Sequence, residues 1–319
     1  MRAFVIAGRW FLILALCSMM ALFATTLASL CLPAHSFLRT GLDIEAALLF
    51  TGLALTVLCN LRITFLHQRS AATDSGREHA VLAPTTGRWV ALNSPASKVP
   101  SHNWLLGQAY AIDLVAAPSR QEVSEGAIAR PDFFRGSPFK PPRAYPAFGM
   151  PVRAMVDGVV VSSEDRYRDH RARSRWIGFI YLMAEDAIRS LGPVRWLLGN
   201  HVTIRTDSGI YALVAHLQHG SIRVKVGQRV RAGEVIGGCG NSGNSSEPHV
   251  HAQLMDRAEP PMALGLPISF IGARVESAEE YSGFVQEPRS SAFKALRGAL
   301  PCNGEALVAP AQDCLTCKE

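Results

Sequence analysis

Asn200-His-Val-Thr-Ile-Arg-Thr206, Asp207-Ser-Gly209 and Ile210-Tyr-Ala-Leu-Val-Ala-His-Leu217 read as two β-strands joined by a turn. β-Branched and aromatic residues fill both runs, and Asp-Ser-Gly is turn chemistry, so a hairpin is predicted. Immediately downstream, residues 221–237 carry glycine at 227, 233 and 237 between short Val/Ile runs, which is the punctuation of a compact all-β segment. The loop Gly238-Cys-Gly-Asn-Ser-Gly-Asn-Ser-Ser-Glu-Pro248 then delivers the chain to Glu247-Pro-His-Val-His-Ala-Gln-Leu254. A strand repeats its side-chain direction every two residues, so His249 and His251 share a face and can converge on one ion or one substrate atom. Taken alone, the pair also reads as two half-exposed strand histidines.

Working upstream, Trp89–Leu92 opens the globular part and Asn93-Ser-Pro-Ala-Ser-Lys-Val-Pro-Ser-His102 is a Pro/Ser-punctuated loop. Gln108-Ala-Tyr-Ala-Ile-Asp-Leu-Val115 reads as a strand, residues 116–147 as a long surface loop, and Pro151–Val161 as a turn and strand. Glu164 to Trp196 interrupts the β pattern. Arginines crowd its first half, and Trp176 to Leu191 places apolar residues at helical spacing. Two readings stand: a basic turn and an amphipathic helix packed on the domain, or a basic amphipathic element lying on a membrane or lining a groove. Beyond Phe270 the pattern fades into a polar tail.

Hydrophobic residues make up 48% of the 319-residue chain, and the excess is N-terminal. Trp10–Leu32 is free of charge and follows Arg2 and Arg9; roughly 20 apolar residues suffice to cross a bilayer. This run exceeds the usual signal-peptide core, so an uncleaved anchor is expected. Ala46–Leu61 is a shorter second run, either a second span or a re-entrant segment. Arginines at both outer ends would leave both ends of a two-span anchor in the cytoplasm, and a single span would reverse the answer. The net charge of +6 suits an anionic neighbour such as lipid headgroups or an acidic wall polymer. No basic block interleaved with aromatics occurs, and nucleic acid is not expected as a partner. The expected organisation is a membrane anchor over 1–69, a linker over 70–83, a globular β domain over 84–275 with a helical insert at about 164–198, and a tail over 276–319.

A hydrolytic zinc site needs about three ligands from His, Asp, Glu or Cys, a base, and a group that stabilises an oxyanion. His102, Asp113, His216, His249 and His251 supply a sufficient set, although each alone has a structural reading. The seven cysteines fix no redox compartment. Cys17, Cys31 and Cys59 read as small apolar residues and Cys239 as a loop filler. Cys302, Cys314 and Cys317 read as thiols, a disulfide or a second metal site.

Ala215-His-Leu-Gln-His-Gly-Ser-Ile222, the Val-x-x-Gly-Gln-x-Val-x-x-Gly-x-x-Ile-Gly stretch, Gly240-Asn-Ser-Gly-Asn244 and Pro248-His-Val-His251 together resemble the lysostaphin/LytM-type zinc metallopeptidases, which cleave peptide cross-links of bacterial cell walls. The resemblance covers about 93–256 and is strongest over 199–256. It implies a mainly β domain with an antiparallel sheet or sandwich, preceded here by the N-terminal transmembrane helices. It implies one zinc ion per domain and a metal-held water as nucleophile. Peptidoglycan peptides would be the substrate, with membrane lipid as a further partner through the anchor and the domain outside the cytoplasm. Carried over by position, His251 and Asp113 are metal ligands, and His216 and His249 are catalytic. The family pattern places its first ligand histidine four residues before the aspartate, where this chain has Ala109. Either His102 reaches the metal from the preceding loop, or the site lacks a ligand and the chain is a non-catalytic wall-binding regulator. A lipoyl- or biotinyl-type carrier module is a further alternative for the glycine-spaced stretch 224–237, and it leaves the histidines unexplained.

Overall fold

The computed structural model describes residues 17–18, 21, 46–52, 54–59, 61–62, 65, 78–190, 192–278 and 298–310. The chain divides into two compact units, Met1–Asp74 and Ser75–Glu319. In the first, 46–52 and 54–59 are helical, and Thr56 Oγ1 donates to Gly52 O at 2.8 Å, so the hydroxyl is satisfied within the helix. Among the described residues no helix is long and apolar enough to cross a membrane. Most of the apolar run Trp10–Leu32 lies outside the described residues, as do Cys31, Cys314 and Cys317.

The second unit is mainly β and built on a ten-stranded antiparallel sheet. Its order runs Arg229–Val230, Gly158–Glu164, Asn200–Arg205, Tyr211–Leu217, Val250–Met255, Ile112–Ala116, Gly87–Leu92, Ala306–Ala309 and Arg274–Glu276, with Gly265–Leu266 paired to the end of Val250–Met255. The hairpin at 200–217 forms, and its second strand pairs directly with the His-x-His strand: His251 stands opposite Ala215 on one side and Asp113 on the other. Small two-stranded sheets add Val235–Gly238 to Pro151–Arg153, and His79–Leu82 in parallel to Ile268–Ile271.

The sheet has one apolar and one chemical face. Ile112, Leu114, Val214, Ala252 and Leu254 point into a core closed by Trp89, Val152, Met155, Ile236 and Phe270. Each such large side chain contributes on the order of 1.5–3 kcal/mol by leaving water. Alternation then sends Asp113, His251 and Gln253 to the opposite face.

Four segments differ from the sequence expectation. The strand predicted over 108–115 begins only at Ile112, because the carbonyls of Ala109 and Ala111 are taken by Ser101, whose N–H donates to Ala109 O at 3.0 Å and whose Oγ donates to Ala111 O at 2.6 Å. Residues 116–147 include a short helix, Arg120–Ser124, started by a Ser119/Glu122 capping box, and bury Tyr145 and Ala147. His79–Leu82, within the stretch read as linker, and Ala306–Ala309, within the stretch read as tail, are both strands. The helix expected in the insert spans Arg175–Ser190.

Candidate metal centre

Three adjacent strands and one loop bring His102, Asp113, His216, His249 and His251 together. His251 and Asp113 are cross-strand neighbours. His249 lies at the entry to the same strand, and Glu247 just before it is clamped by a largely buried ion pair with Arg130.

His216 arrives by a different device. Ala212 and Val214 face the core, so alternation alone would send His216 there too. The pairing of Asn200–Arg205 with Tyr211–Leu217 slips by one residue just there, and His216 sits at φ +62°, in the left-handed region. The bulge turns its imidazole onto the site face and returns Leu217 to the core.

His102 is placed by Ser101. The Ser101 hydroxyl spends its one proton on Ala111 O, so its oxygen accepts from His102 Nδ1–H, 3.1 Å away. The Nε2 lone pair of His102 is therefore aimed at Asp113 Oδ2, 2.9 Å away. The same logic applies to His251. Gln253 donates through Nε2 to Leu106 O at 2.9 Å, which leaves its Oε1 to accept from His251 Nε2–H at 2.8 Å. The lone pair of His251 Nδ1 then faces Asp113 Oδ1 at 2.9 Å. Asn93 Nδ2 donates to Asp113 Oδ2 at 2.9 Å, which orients the carboxylate.

In these neutral tautomers two imidazole lone pairs converge on the two oxygens of one carboxylate, with no hydrogen between acceptor and acceptor in either contact. Such a set favours a cation. The three donor atoms lie within 4.8 Å of one another. Ligand atoms at about 2.0–2.2 Å from a tetrahedral zinc ion stand roughly 3–4 Å apart, and the donors here, each imidazole nitrogen 2.9 Å from a carboxylate oxygen, would need only small shifts to surround such an ion.

His216 and His249 complete the group. His216 Nδ1–H donates to Ser242 O at 2.9 Å, and His249 Nδ1–H donates to Glu247 O at 2.8 Å with Ser245 Oγ at 3.0 Å. Both rings therefore present Nε2 inward, and their centroids are 4.7 Å apart. His249 Nε2 stands 3.5 Å from Asp113 Oδ1.

Burial works to raise the Asp113 carboxyl, but the imidazoles of His102 and His249, when protonated, outweigh it and hold the group well below the usual carboxylate range. Burial, reinforced by His249 and His251, pushes the His216 imidazole well down. At His249 burial is outweighed by Asp113, and the imidazole is lifted. The field of the site rewards positive charge beside Asp113 and disfavours it at His216. Cys239 is fully buried, and burial pushes its thiol up, away from the thiolate a nucleophile needs.

The orienting residues Asn93, Ser101, Gln253, Ser242 and Ser245 were not singled out from the sequence. Only Gln253 carried a signal, since it continues the 249, 251 alternation. The others act through backbone and loop contacts that no spacing reveals.

Residues 180–262 match the model of peptidase family M23. Over 112 residues the chain is 29% identical to the glycyl-glycine endopeptidase ALE-1 of Staphylococcus capitis, covering 33% of this chain and 30% of that protein. Over 71 residues it is 39% identical to the DD-carboxypeptidase/endopeptidase Mpg of Neisseria meningitidis, covering 22% of this chain and 16% of that protein. The chain thus spans less than a third of the length of these curated relatives. Among solved structures, the catalytic domain of the antimicrobial peptidase lysostaphin from Staphylococcus simulans aligns at 20% identity over 46% of this chain and 93% of that one, with a TM-score of 0.25. The His-x-His strand, the bulged His216 strand and the glycine-rich loop between them all fall inside the matched segment, so the part of the chain that carries most of the candidate metal centre is similar to peptidase family M23.

Proposed function

We propose that the protein is a zinc-dependent endopeptidase that hydrolyses peptide bonds of bacterial cell-wall peptidoglycan. The observation that carries this reading is the convergence of His102 Nε2 and His251 Nδ1 on Asp113, each 2.9 Å from a carboxylate oxygen, with both tautomers set by neighbours. His102, Asp113 and His251 would hold the ion. When bound, zinc supplies Lewis acidity to the scissile carbonyl and to the attacking water.

The remaining chemistry belongs to the chain. His216 and His249 each have Nδ1–H tied to a backbone carbonyl, so each offers Nε2 to the reacting group. The pair divides removal of the water's proton from stabilisation of the developing oxyanion. A wall-binding regulator would have no use for two such histidines beside a completed ligand set.

The N-terminal apolar runs would hold the protein at the membrane and in contact with lipid, with the peptidase domain on the outer side where peptidoglycan lies. The wall substrate motivates that side. Labelling of a cysteine engineered at Ser290 in intact cells supports it, and labelling only after lysis refutes it.

Metal analysis of the purified full-length protein tests the centre itself. About one zinc per chain in the wild type and marked loss in His102→Ala are expected. A protein without zinc, or an unchanged content in His102→Ala, would refute the ligand assignment.

A further inference from the structure

The helix Arg175–Ser190 turns its polar side inward. Only Gly178 and Leu182 of its residues are buried. Glu185 accepts from the buried Arg173 and, at 3.2 Å, from Arg189; Asp186 Oδ1 accepts from Asn244 Nδ2 at 2.7 Å; Arg189 also donates to Gly243 O. Gly178 permits this docking, because a Cβ there would stand 2.8 Å from Pro138 O. Both acids of the helix are thereby directed at the domain.

The outward side is apolar. Trp176, Ile177 and Ile180 are 69%, 65% and 67% exposed, and Tyr181, Met183 and Ile188 are exposed beside them. Trp196 extends the patch from the next short helix, Arg195–Leu198, and exposed Phe134 adds to it from the loop whose Phe133 O accepts from Arg175 N–H. Soluble surfaces rarely leave so many large apolar side chains contiguous. Cations outnumber acids among the exposed charges around the patch: Arg171, Arg175 and Arg195 stand beside Arg135, which pairs with the exposed Asp132 at 3.5 Å.

We propose that this face seats in the headgroup region of an anionic lipid bilayer. Trp, Tyr and Ile would enter the interface, and the surrounding arginines would meet lipid phosphates. Charge decides the occupant. In a two-fold pairing with a second copy the same patch faces itself, setting Arg171, Arg175 and Arg195 against their own copies while both helix acids are turned inward and Asp132 already pairs with Arg135. An anionic surface satisfies those arginines instead. The same chain also carries the charge-free apolar run Trp10–Leu32, so a bilayer is the surface its sequence already anticipates.

Seating would also steady the peptidase site. The helix is bonded to Gly243 and Asn244, and the flanking residues of that loop hold His216 through Ser242 O and His249 through Ser245 Oγ.

The test is lipid photocrosslinking of the full-length protein reconstituted in phosphatidylglycerol or phosphatidylcholine vesicles. A diazirine-bearing side chain is introduced at Ile180, or at Val226, which is 63% exposed and lies outside the helix. The expected result is a lipid-adduct yield at 180 at least about tenfold above that at 226 in the anionic vesicles, dropping severalfold in the zwitterionic ones. Equal yields at the two positions, or adducts at 180 to a second protein chain, would overturn the proposal. Both positions are solvent-exposed, so the probe leaves the fold intact. Zinc content scores the peptidase reading separately, and the two can fail independently.

Discussion

Gln253 Oε1 accepts the Nε2–H of His251 at 2.8 Å, while the Gln253 amide is anchored on Leu106 O at 2.9 Å. This pair sets which nitrogen of His251 is free, and that nitrogen is the one aimed at Asp113. Outer partners of this kind typically account for 10–100-fold in metal affinity. Gln253→Leu keeps the volume and removes the acceptor, so zinc affinity should fall by about that factor with the fold retained. Chelator competition reads it directly, and an unchanged affinity would show that His251 is oriented by packing alone.

The two kinds of histidine should separate experimentally. His251→Ala removes a proposed ligand and should lower both zinc content and turnover. His216→Ala and His249→Ala should keep the metal while losing on the order of 100- to 10,000-fold in kcat. Should His216→Ala lose zinc along with activity, its placement off the metal would be wrong.

His170 offers a pH signature away from the ligands. Its Nε2–H donates to Gly243 O at 2.8 Å, and its Nδ1 accepts from Arg173 and from Asn241 Nδ2 at 3.1 Å. Burial, with Arg173 adding to it, pushes its pKa down from 6.5 to about 4. The unfolded chain then binds more protons than the folded one between these values, so stability rises with pH across that window. The contribution is complete above the unfolded value of 6.5 and is lost as pH falls to about 4. It amounts to about 3 kcal/mol. Urea unfolding of the wild type against His170→Asn should show a steeper acid loss in the wild type; parallel profiles would refute the assignment.

The loop behind the site depends on a close backbone crossing. Gly243 has φ +75°, and a Cβ there would stand 2.4 Å from Gly199 N and 2.5 Å from Leu197 O. Both the strained φ and the backbone clash oppose a side chain, so Gly243→Ala should cost more than about 2 kcal/mol. His216 would lose its carbonyl anchor at Ser242 as a consequence, and turnover should fall with stability. A fully stable, fully active variant would contradict the crossing.

The strand content was legible wherever the pattern is local. The hairpin at 200–217 and the His-x-His strand follow from period-two alternation and turn chemistry, and the sheet face shared by His249, His251 and Gln253 follows with them. Alternation misleads at His216, because a bulge reverses its side and nothing in Ala-His-Leu marks one. Ala306-Leu-Val-Ala309 is too short to announce a strand, and it becomes one by pairing with Gly87–Leu92 on one side and Arg274–Glu276 on the other. The helical spacing at 176–191 was visible, but the rule that apolar sides face inward gives the wrong orientation. Its acids instead meet Arg173, Arg189 and Asn244. His102 was legible as a candidate, whereas its placement rests on Ser101 and on the carbonyl of Ala111, contacts that exist only after folding.

Release of new amino termini from purified peptidoglycan by the zinc-loaded full-length protein, wild type against His251→Ala, is the most direct measurement. We expect the wild type to release peptide termini continuously and His251→Ala to fall at least about 1,000-fold. Intact peptidoglycan after incubation with zinc-loaded wild type, or undiminished release by His251→Ala, would contradict the assignment of this site as a peptidase centre.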